Sequence, residues 1–334
     1  MKIGFFGSEG WEEAILRKNF PDADFFFTAD KLSENNIPTQ TDFDIISVFV
    51  GSPVTAKVIA KMPNLKFITT RSVGFDHVDL AACKKKGIAV AYVPGYGDNT
   101  VAEYAFGLLL NLTRKIYQAI DEVKEYCDFK QEGLRGVDLA GKTIGIVGTG
   151  RIGKQAIKIA KGFGLNVLAY DPFPNKDFAK EIDFQYVPLE ELLKNSDFIT
   201  LHAPYNKDTH HLINKKNILF IKKGAYLVNT ARGGLVETDA LVMALDKKIL
   251  AGVALDVLEE EGETKEELEL LMKNKINKEE FRIILENHIL MKMPNVLITP
   301  HNAFNSKEAM QRILEITIEN IKAFVAGRPT NLTS

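Results

Sequence analysis

The chain has 334 residues, with 42 basic and 44 acidic side chains and a net charge of −2. This near balance gives no electrostatic basis for binding nucleic acid or a membrane surface, and no apolar run approaches the roughly 20 residues that cross a bilayer. The two cysteines, Cys83 and Cys127, form neither a disulfide framework nor a metal-ligand spacing. We therefore expect a soluble, cytoplasmic protein of two domains that binds no metal.

Residues 1–98 alternate between apolar runs typical of strands and stretches with helical spacing. They open with MKIGFFGSEGWEE, which predicts a short strand followed by acidic residues rather than a signal peptide. Such alternation predicts a parallel sheet covered by helices on both faces, and hence a compact α/β domain. The predicted strands are Lys2–Phe6, Phe25–Phe27, Ile45–Val50, Phe67–Thr70 and Ala89–Tyr92, and the predicted helices are Trp11–Phe20, Val54–Lys61 and Val78–Lys86.

A break in regular structure at residues 94–98, Pro-Gly-Tyr-Gly-Asp, predicts a linker or hinge. Thr100 and Glu103 then have the spacing of a capping box, so a long helix is predicted from Val101 to about Tyr126. Its Ala102–Leu112 part is apolar on almost every face. That part is therefore expected to be buried or to lie at an interface.

The stretch Lys142–Asp171 predicts a strand, a tight turn, a helix and a second strand. In its turn, Gly148 permits the tight bend, Gly150 lets backbone approach a pyrophosphate, and Gly153 lets the helix pack closely on the strand. The helix N-terminus would offer N–H groups and a partial positive charge to the phosphates. A carboxylate at Asp171 would accept hydrogen bonds from an adenosine ribose and repel a 2′-phosphate, so the stretch predicts NAD rather than NADP.

The strands predicted after Asp171 end in chemically useful residues. They stop at His202-Ala-Pro204, Thr230-Ala-Arg232, Asp256 and Thr299-Pro-His301, with helices predicted at Leu189–Lys194, Ile213–Ile221 and Thr238–Asp246. In open α/β sheets the ligand lies beyond the carboxyl ends of the strands. The side chains at these strand ends should therefore line one crevice.

The last part of the chain predicts helices. The charged stretch between Asp256 and His301 is too long for a simple connection and predicts an ordered helical excursion. The tail, Asn302–Ala326, predicts one amphipathic helix that packs on the first domain. The predicted domains are therefore 1–98 with 302–334, for substrate, and 99–301, for NAD, with a cleft between them.

Hydride transfer to or from a hydroxyl carbon requires few side chains. A histidine suits the exchange of the hydroxyl proton because its pKa lies near working pH. An arginine can hold a carboxylate through two hydrogen bonds and polarise the adjacent carbonyl. A carboxylate beside the histidine would stabilise the imidazolium. The strand ends supply His301, Arg232 and one of Glu259, Glu260 or Glu261.

Short segments spread in order along the chain carry a further signal. They are SVGFDHVD at 72–79, YGDNTVAEYAFGLLL at 96–110, LAGKTIGIVGTGRIG at 139–153, VNTARGGLVE at 228–237, ALDVLEEE at 254–261 and TPHNAF at 299–304. Together they resemble the D-isomer-specific 2-hydroxyacid dehydrogenases, and among them the D-lactate dehydrogenase group. The resemblance implies two doubly wound parallel-sheet α/β domains, a Rossmann NAD domain and a flavodoxin-like substrate domain, that close over NAD.

The resemblance also implies catalytic roles. Arg232 would bind the substrate carboxylate and carbonyl, and His301 would donate or accept the proton. Glu261, five residues past Asp256, would keep His301 protonated.

Further binding residues follow from the same resemblance. Backbone amides of Val73 and Gly74 would bind the substrate carboxylate beside Arg232 and His301, while Tyr96 and Phe304 would limit the alkyl group. The implied cofactor-binding residues are Gly148, Gly150, Arg151, Ile152, Gly153, Asp171, Ala203, Pro204, Thr209, Thr230, Ala231, Arg232 and Asp256.

The implied activity is the NAD-dependent interconversion of pyruvate and D-lactate. Two alternatives stay open at this point. The chain could reduce another 2-keto acid, such as glyoxylate, hydroxypyruvate or a branched 2-keto acid, or it could be an NAD-sensing binding protein of the same fold. The resemblance also implies a homodimer that pairs the NAD domains around the Ala102–Leu112 helix.

Overall fold

The computed structural model describes residues 1–127, 129–259 and 278–333. They form two compact units, Met1–Tyr96 with Ser306–Ser334 and Gly97–Asn305, which we call the first and the second unit. Each unit contains a parallel sheet, so the predicted α/β class with two doubly wound domains is confirmed. Among the described residues, no helix combines the length and the apolar character that crossing a membrane requires.

The first unit is built on a sheet of five parallel strands in the described residues. They are β1 (Lys2–Phe6), β2 (Asp24–Thr28), β3 (Ile45–Val48), β4 (Phe67–Thr70) and β5 (Ala89–Ala91). Their order across the sheet is β2-β1-β3-β4-β5, the flavodoxin-like order. The central strands β3 and β4 are buried along their whole length, as expected for a sheet with both faces covered.

The tail of the chain belongs to the first unit. The helices of the first unit are α1 (Gly10–Asn19), α2 (Ala56–Ala60), α3 (Leu80–Lys86) and, in the tail, the C-terminal helix (Lys307–Val325). Ser306 caps the C-terminal helix, because its Oγ accepts a hydrogen bond from Ala309 N at 3.1 Å. The Phe324 ring then stacks on Phe67 of β4, with ring centroids 4.4 Å apart. This packing joins the end of the chain to the sheet formed by its beginning.

A fully buried ion pair lies after β1 and β4. Arg71 Nη1 donates to both carboxylate oxygens of Glu12, at 2.9 and 3.0 Å, and Nη2 donates to the carbonyl oxygen of Phe6. The guanidinium carbon lies 5.6 Å from the centre of the Phe5 ring. Burial lowers the pKa of Arg71 while Glu12 opposes that shift, and the guanidinium stays charged. The pair thus anchors Arg71, the residue directly before the segment 72–74, to α1 and to the end of β1.

The second unit is built on a sheet of seven parallel strands in the described residues. They are β6 (Thr143–Val147), β7 (Asn166–Tyr170), β8 (Gln185–Tyr186), β9 (Phe198–Leu201), β10 (Ala225–Asn229), β11 (Leu250–Leu255) and β12 (Val296–Ile298). The order is β12-β11-β10-β9-β6-β7-β8, so the strand order reverses between β6 and β9. A Rossmann sheet binds its dinucleotide at this switch point. The sequence pattern predicts all of these strands except the two-residue β8.

The predicted single helix over residues 101–126 is wrong. In its described residues, the second unit has the helices α4 (Asp98–Arg114), α5 (Ile116–Tyr126), α6 (Arg151–Gly162), α7 (Lys176–Ile182), α8 (Leu189–Asn195), α9 (Thr238–Asp246) and α10 (Lys278–Lys292). Lys115 separates α4 from α5 because it adopts a φ of +53°. The predicted capping box is wrong as well, since α4 begins at Asp98 and Thr100 lies inside the helix.

The helix predicted at Ile213–Ile221 is also wrong, since only Ile218–Phe220 forms a short 3-10 turn. Asn217 Oδ1 accepts a hydrogen bond from Asn214 N at 2.8 Å, and Asn217 Nδ2 donates to Leu212 O at 2.7 Å. Such local side-chain bonds compete with the helical ladder. The predicted helical excursion before His301 contains α10, while residues 260–277 lie outside the described part of the chain.

The apolar part of α4 is covered by the second unit itself. Its inward side chains are at most 4% exposed and share one core with α6 and the sheet; they are Ala102, Ala105, Phe106, Leu109 and Leu112. The need to cover this stretch is therefore not an argument for a partner chain. Exposed apolar side chains lie on α5 instead: Ile116, Tyr117, Ile120 and Val123.

Replacing Glu12 with alanine should lower the free energy of unfolding by about 3–5 kcal/mol, because the Arg71 charge would stay buried without its partner. Urea denaturation followed by circular dichroism measures this change. Lys57→Ala is the control, since Lys57 is 80% exposed in its pair with Glu34 and its loss should change stability far less. Equal effects of the two substitutions would contradict the dependence of Arg71 on Glu12.

Candidate active site

The three glycines after β6 serve two different purposes. Gly148 has a φ of +92°, and a Cβ there would lie 2.7 Å from the nitrogen of Ala203. A Cβ on Gly153 would lie 2.0 Å from the Gly148 carbonyl oxygen, so α6 approaches the turn too closely for a side chain. A Cβ on Gly150 would meet nothing within 4 Å. Gly148 and Gly153 are thus needed for the turn's own packing, and open space lies beside Gly150.

The open space beside Gly150 lies where α6 presents its first backbone N–H groups. The helix begins at Arg151, and its N-cap Gly150 has no side chain to accept hydrogen bonds from them. Together with the helix dipole, these groups favour an anion. Arg151 Nε donates to Asp98 Oδ2 at 2.8 Å, and Ile152 packs against the core. Ile152 can therefore serve a ligand only through its backbone.

Asp171 lies beside the glycine turn. Its Oδ2 accepts hydrogen bonds from the N–H and the hydroxyl of Thr149, at 2.7 and 2.9 Å, and its Oδ1 accepts one from Phe173 N at 2.8 Å. The Tyr186 hydroxyl donates to Thr149 Oγ1 at 2.9 Å. Sequence reasoning missed Thr149 and Tyr186, although the place of Thr149 between two motif glycines was a signal. The carboxylate is held at the turn, and its role toward a ribose stays a prediction.

The loop after β9 closes on itself. Thr209 Oγ1 donates to Pro204 O at 2.7 Å, which holds the residues that follow Ala203 in place. His202 opens this loop, and its Nε2 lies 3.1 Å from Thr200 Oγ1. Burial lowers the pKa of His202 to about 4. This imidazole is therefore neutral near pH 7 and supports the turn rather than exchanging protons.

Arg232 lies in a tight turn after β10. Asn229 is 1% exposed, donates from Nδ2 to Arg232 O at 2.8 Å, and accepts a hydrogen bond from Ala231 N at 3.0 Å. Arg232 Nη1 donates to Ala231 O at 2.8 Å. The Thr230 hydroxyl is buried, and no described residue forms a hydrogen bond with it. The turn thus keeps Arg232 at the end of β10, and the Thr230 hydroxyl is left to bind a ligand.

One buried carboxylate organises the loop that carries His301. Asp256, directly after β11, is 1% exposed and accepts hydrogen bonds from Asn302 N and Ala303 N, each at 2.8 Å, and from the Thr299 hydroxyl. His301 N donates to Asp256 O at 2.8 Å, and His301 adopts a φ of +54°. Burial raises the pKa of Asp256, while the hydrogen bonds that it accepts oppose that shift. Asp256 therefore holds His301 in a conformation that residues other than glycine rarely adopt.

The strand order brings the predicted catalytic side chains to one edge. β10, β11 and β12 are neighbours in the sheet, and Arg232, Asp256 and His301 follow them. Arg232 and His301 therefore lie at the same edge, on either side of the Asp256 strand. The Phe304 ring contacts the His301 ring edge to face, with centroids 6.4 Å apart.

Of the three candidate glutamates, only Glu259 lies in the described part of the chain. Its Oε1 lies 2.5 Å from His211 Nε2, and its Oε2 accepts hydrogen bonds from the N–H and the hydroxyl of Thr238, at 3.2 and 2.8 Å. Both carboxylate oxygens of Glu259 thus bind groups other than His301. The sequence did not predict these contacts. Glu260 and Glu261 lie outside the described residues, so the assignment of Glu261 stays a prediction.

The first unit carries the other predicted substrate residues. Val73 is exposed and Gly74 partly so, and Ser72 Oγ donates to Gly74 O at 2.5 Å. Tyr96 is 8% exposed, and its carbonyl oxygen accepts a hydrogen bond from Arg312 Nε at 2.7 Å. The roles of Val73, Gly74 and Tyr96 toward substrate stay predictions.

Known proteins resemble this chain along nearly its whole length. Residues 106–303 match the family described as D-isomer specific 2-hydroxyacid dehydrogenase, NAD binding domain. This chain belongs to the D-isomer-specific 2-hydroxyacid dehydrogenase family. A 2-hydroxyacid dehydrogenase homolog of Zymomonas mobilis is 37% identical over 333 residues, which cover 98% of each chain.

Two further members of the family extend the comparison. A glyoxylate reductase of Korarchaeum cryptofilum is 36% identical over 297 residues, 88% of this chain and 83% of that one. The D-lactate dehydrogenase of Aquifex aeolicus, solved with NAD and lactic acid, is 36% identical with a TM-score of 0.85, and the match covers 99% of this chain and 100% of that one. The predicted closeness to D-lactate dehydrogenases is thus confirmed.

The chain is accordingly an NAD-dependent D-2-hydroxyacid dehydrogenase. The residues present fit the cofactor, because the space beside Gly150 is open at a helix N-terminus and the buried Thr230 hydroxyl has an unused hydrogen-bonding capacity. Within the described residues, no group of three or more His, Cys, Asp or Glu side chains could hold a metal ion.

Asp256→Asn should lower the free energy of unfolding by about 1–3 kcal/mol, because the new amide would set N–H donors against the backbone N–H groups of the His301 loop. The turnover number should fall with it. Thermal unfolding and steady-state kinetics measure the two effects. Asp246→Asn, at an exposed position of α9, is the control and should change stability by less than about 0.5 kcal/mol. Unchanged stability and turnover in Asp256→Asn would refute the organising role of this carboxylate.

Proposed function

We propose that this dehydrogenase interconverts pyruvate and D-lactate. The observation that carries the proposal is the strand order, which brings Arg232 and His301 to one sheet edge on either side of Asp256. The similarity to a D-lactate dehydrogenase solved with lactic acid supports the choice of substrate. The proposal assigns residues 1–98 with 302–334 to the substrate domain and residues 99–301 to the NAD domain.

Arg232 binds the substrate in this proposal. Its planar guanidinium can donate two parallel hydrogen bonds to the carboxylate and carbonyl oxygens of the keto acid, a geometry that lysine lacks. The proposal also keeps the predicted role of the Val73 and Gly74 backbone N–H groups as donors to a substrate carboxylate. Polarising the carbonyl makes its carbon more electrophilic, so Arg232 contributes to binding and to reactivity.

His301 exchanges the proton. In the direction of reduction, its protonated imidazole donates to the carbonyl oxygen, and in the direction of oxidation the neutral imidazole accepts the hydroxyl proton. Bound NADH supplies the hydride that adds to the carbonyl carbon. The positive φ that Asp256 imposes fixes the direction of the His301 side chain, and Glu261 stabilises the imidazolium.

Phe304 is proposed to limit the size of the substrate. The Phe304 ring contacts the His301 ring, so Phe304 lies beside the imidazole that is proposed to exchange a proton with the substrate's carbonyl oxygen. An aromatic wall there leaves room for a methyl group and disfavours longer alkyl groups. The predicted role of Tyr96 in limiting the alkyl group of the substrate is part of the same proposal.

The test is the rate of NADH oxidation with a panel of 2-keto acids: pyruvate, glyoxylate, hydroxypyruvate, 2-ketobutyrate, 4-methyl-2-ketopentanoate and phenylpyruvate. Pyruvate should give a kcat/KM at least about tenfold above phenylpyruvate, because one pocket wall discriminates by that order. His301→Ala is the matched variant and should lower kcat by about 100-fold or more while NADH still binds.

Each other outcome of this assay has a definite meaning. A higher kcat/KM with glyoxylate or hydroxypyruvate, or with the branched acid, would assign another 2-keto acid as substrate and overturn the role of Phe304. Binding of NADH without turnover of any keto acid would favour an NAD-sensing binding protein. Strong residual activity in His301→Ala would refute the acid–base role of His301.

We further propose a homodimer that pairs the NAD-binding domains through α5. Ile116, Tyr117, Ile120 and Val123 expose between 39% and 54% of their surface on one side of this helix. α5 is fixed to the second unit by Gln118 Nε2, which donates to Pro294 O at 3.0 Å. A fixed helix with an exposed apolar side is suited to bury that side against a second copy.

A cytoplasmic location is also proposed. Both cysteines are free thiols, one buried at Cys83 and one exposed at Cys127. Burial raises the pKa of Cys83 to about 11, so its thiol stays protonated and unreactive. An exposed free thiol such as Cys127 suits a reducing compartment.

Ile120→Lys should weaken the dimer, raising its dissociation constant at least about tenfold, because the substitution places a charge in the apolar interface. Sedimentation velocity at micromolar concentration measures the change. Glu122→Lys is the matched control, since Glu122 is exposed on the opposite side of α5 and its substitution should leave the dimer intact. A wild-type monomer at this concentration, or a dimer unaffected by Ile120→Lys, would contradict the proposed interface.

A further inference from the structure

Glu259 is a nearly buried carboxylate that the proposed reaction does not use. Its side chain is 9% exposed, and its two oxygens are engaged by different elements. Oε1 meets the His211 imidazole, and Oε2 accepts two hydrogen bonds from Thr238. Burying an acid in this way costs free energy unless its oxygens are fully hydrogen-bonded. The arrangement is therefore a specific one rather than part of a solvated run of charges.

The Arg232 turn packs directly on the residues that carry this carboxylate. A Cβ on Gly233 would lie 2.0 Å from the carbonyl carbon of Leu258 and 2.3 Å from the nitrogen of Glu259. Backbone thus meets backbone, with no flexible side chain to absorb a shift. A small cavity bordered by Asn229, Gly233 and Glu259 adjoins this contact.

Both partners of Glu259 hold the segment 232–238. The backbone N–H of His211 donates to Gly234 O at 2.8 Å, which fixes the middle of the segment. Thr238 opens α9 and so ends the segment. The Glu259 carboxylate therefore contacts both His211, which binds the middle of the segment, and Thr238, at which the segment ends.

We infer that Glu259 is a positioning residue for Arg232. Its carboxylate holds the segment 232–238 in the shape that directs the Arg232 guanidinium at the keto acid. The inference rests on the proposed function, because it takes Arg232 as the group that binds substrate. Glu259 acts through His211 and Thr238, and its role differs from that of Glu261, the predicted partner of His301.

Loss of this support should affect the keto acid more than the cofactor. A two-point arginine contact depends on distance and direction, and a misplacement of about 1 Å can cost about 100-fold in rate. In the described part of the chain, Glu259 forms no hydrogen bond with the glycine turn at 148–153. Loss of Glu259 should therefore leave the glycine turn, and with it the binding of the cofactor phosphates, unchanged.

The test is steady-state kinetics on the full chain with NADH and pyruvate, together with NADH binding followed by fluorescence. Glu259→Ala should raise KM for pyruvate and lower kcat/KM by about 10- to 100-fold, with the Kd of NADH changed by less than about twofold. Glu259→Gln keeps the shape and can still bond to Thr238 and His211, so it should recover most of the loss. Glu190→Ala is the control, because Glu190 is an exposed acid paired with Lys194 on α8.

The pH profile of kcat/KM separates positioning from acid–base partnership. Positioning predicts that the profile of Glu259→Gln follows the wild type. A shifted profile would make Glu259 the partner of His301 and overturn the inference. An unchanged kcat/KM in Glu259→Ala would overturn it as well. If Glu259→Ala does not fold, His211→Ala removes one support and should show a smaller loss of the same kind.

Hydrogen–deuterium exchange tests the inference without substrate. In Glu259→Ala, amides of 232–238 should exchange about tenfold faster than in the wild type, while those of 148–153 should be unchanged. Faster exchange in a protein that reduces no keto acid would refute the proposed function and still support the hold of Glu259 on the segment. Unchanged exchange at 232–238 would refute the inference itself.

Discussion

The buried carboxylate of Asp256 is the interaction on which the catalytic edge of the second unit depends. The loop that follows β12 has no regular structure, so its backbone N–H groups need partners from elsewhere. Asp256 supplies two of these partners and also binds Thr299. The loop is thereby tied to the end of β11 and kept at a positive φ at His301. Such a conformation persists only where the surroundings determine it, and functional sites are where it is commonly found.

The first unit uses the same device with the opposite charge. Arg71 follows β4 and binds the carbonyl oxygen at the end of β1 as well as the Glu12 carboxylate. A buried ion pair adds little net stability compared with well-packed apolar side chains. Its effect here is to tie Arg71, directly before the segment 72–74, to α1 and to the end of β1. Each unit thus contains a fully enclosed charge that shapes a loop after a strand, which a purely apolar core could not do.

Local constraints explain what the sequence could predict. The glycine turn and Asp171 are recognisable because each depends on spacing within one β-α-β unit. The break between α4 and α5 at Lys115 was not recognisable. A glycine at this positive φ would have indicated the end of a helix, whereas a lysine gives no such signal. The burial of Glu259 and its contacts with His211 and Thr238 were missed for a different reason. A run of three glutamates looks solvated, and its burial is decided by His211, 48 residues away.

The hydrogen bonds around Asp171 bear on how the site discriminates between NAD and NADP. Under the predicted role, a ribose hydroxyl would donate to a carboxylate that already accepts three hydrogen bonds within the protein, so few acceptor sites are left and the net gain in affinity is small. The bonds from Thr149 N and Phe173 N to its two oxygens prevent the carboxylate from turning away from an approaching 2′-phosphate. Selectivity would then arise by rejecting the phosphorylated cofactor rather than by rewarding the correct one. Such a site can discriminate strongly while still releasing its product dinucleotide readily.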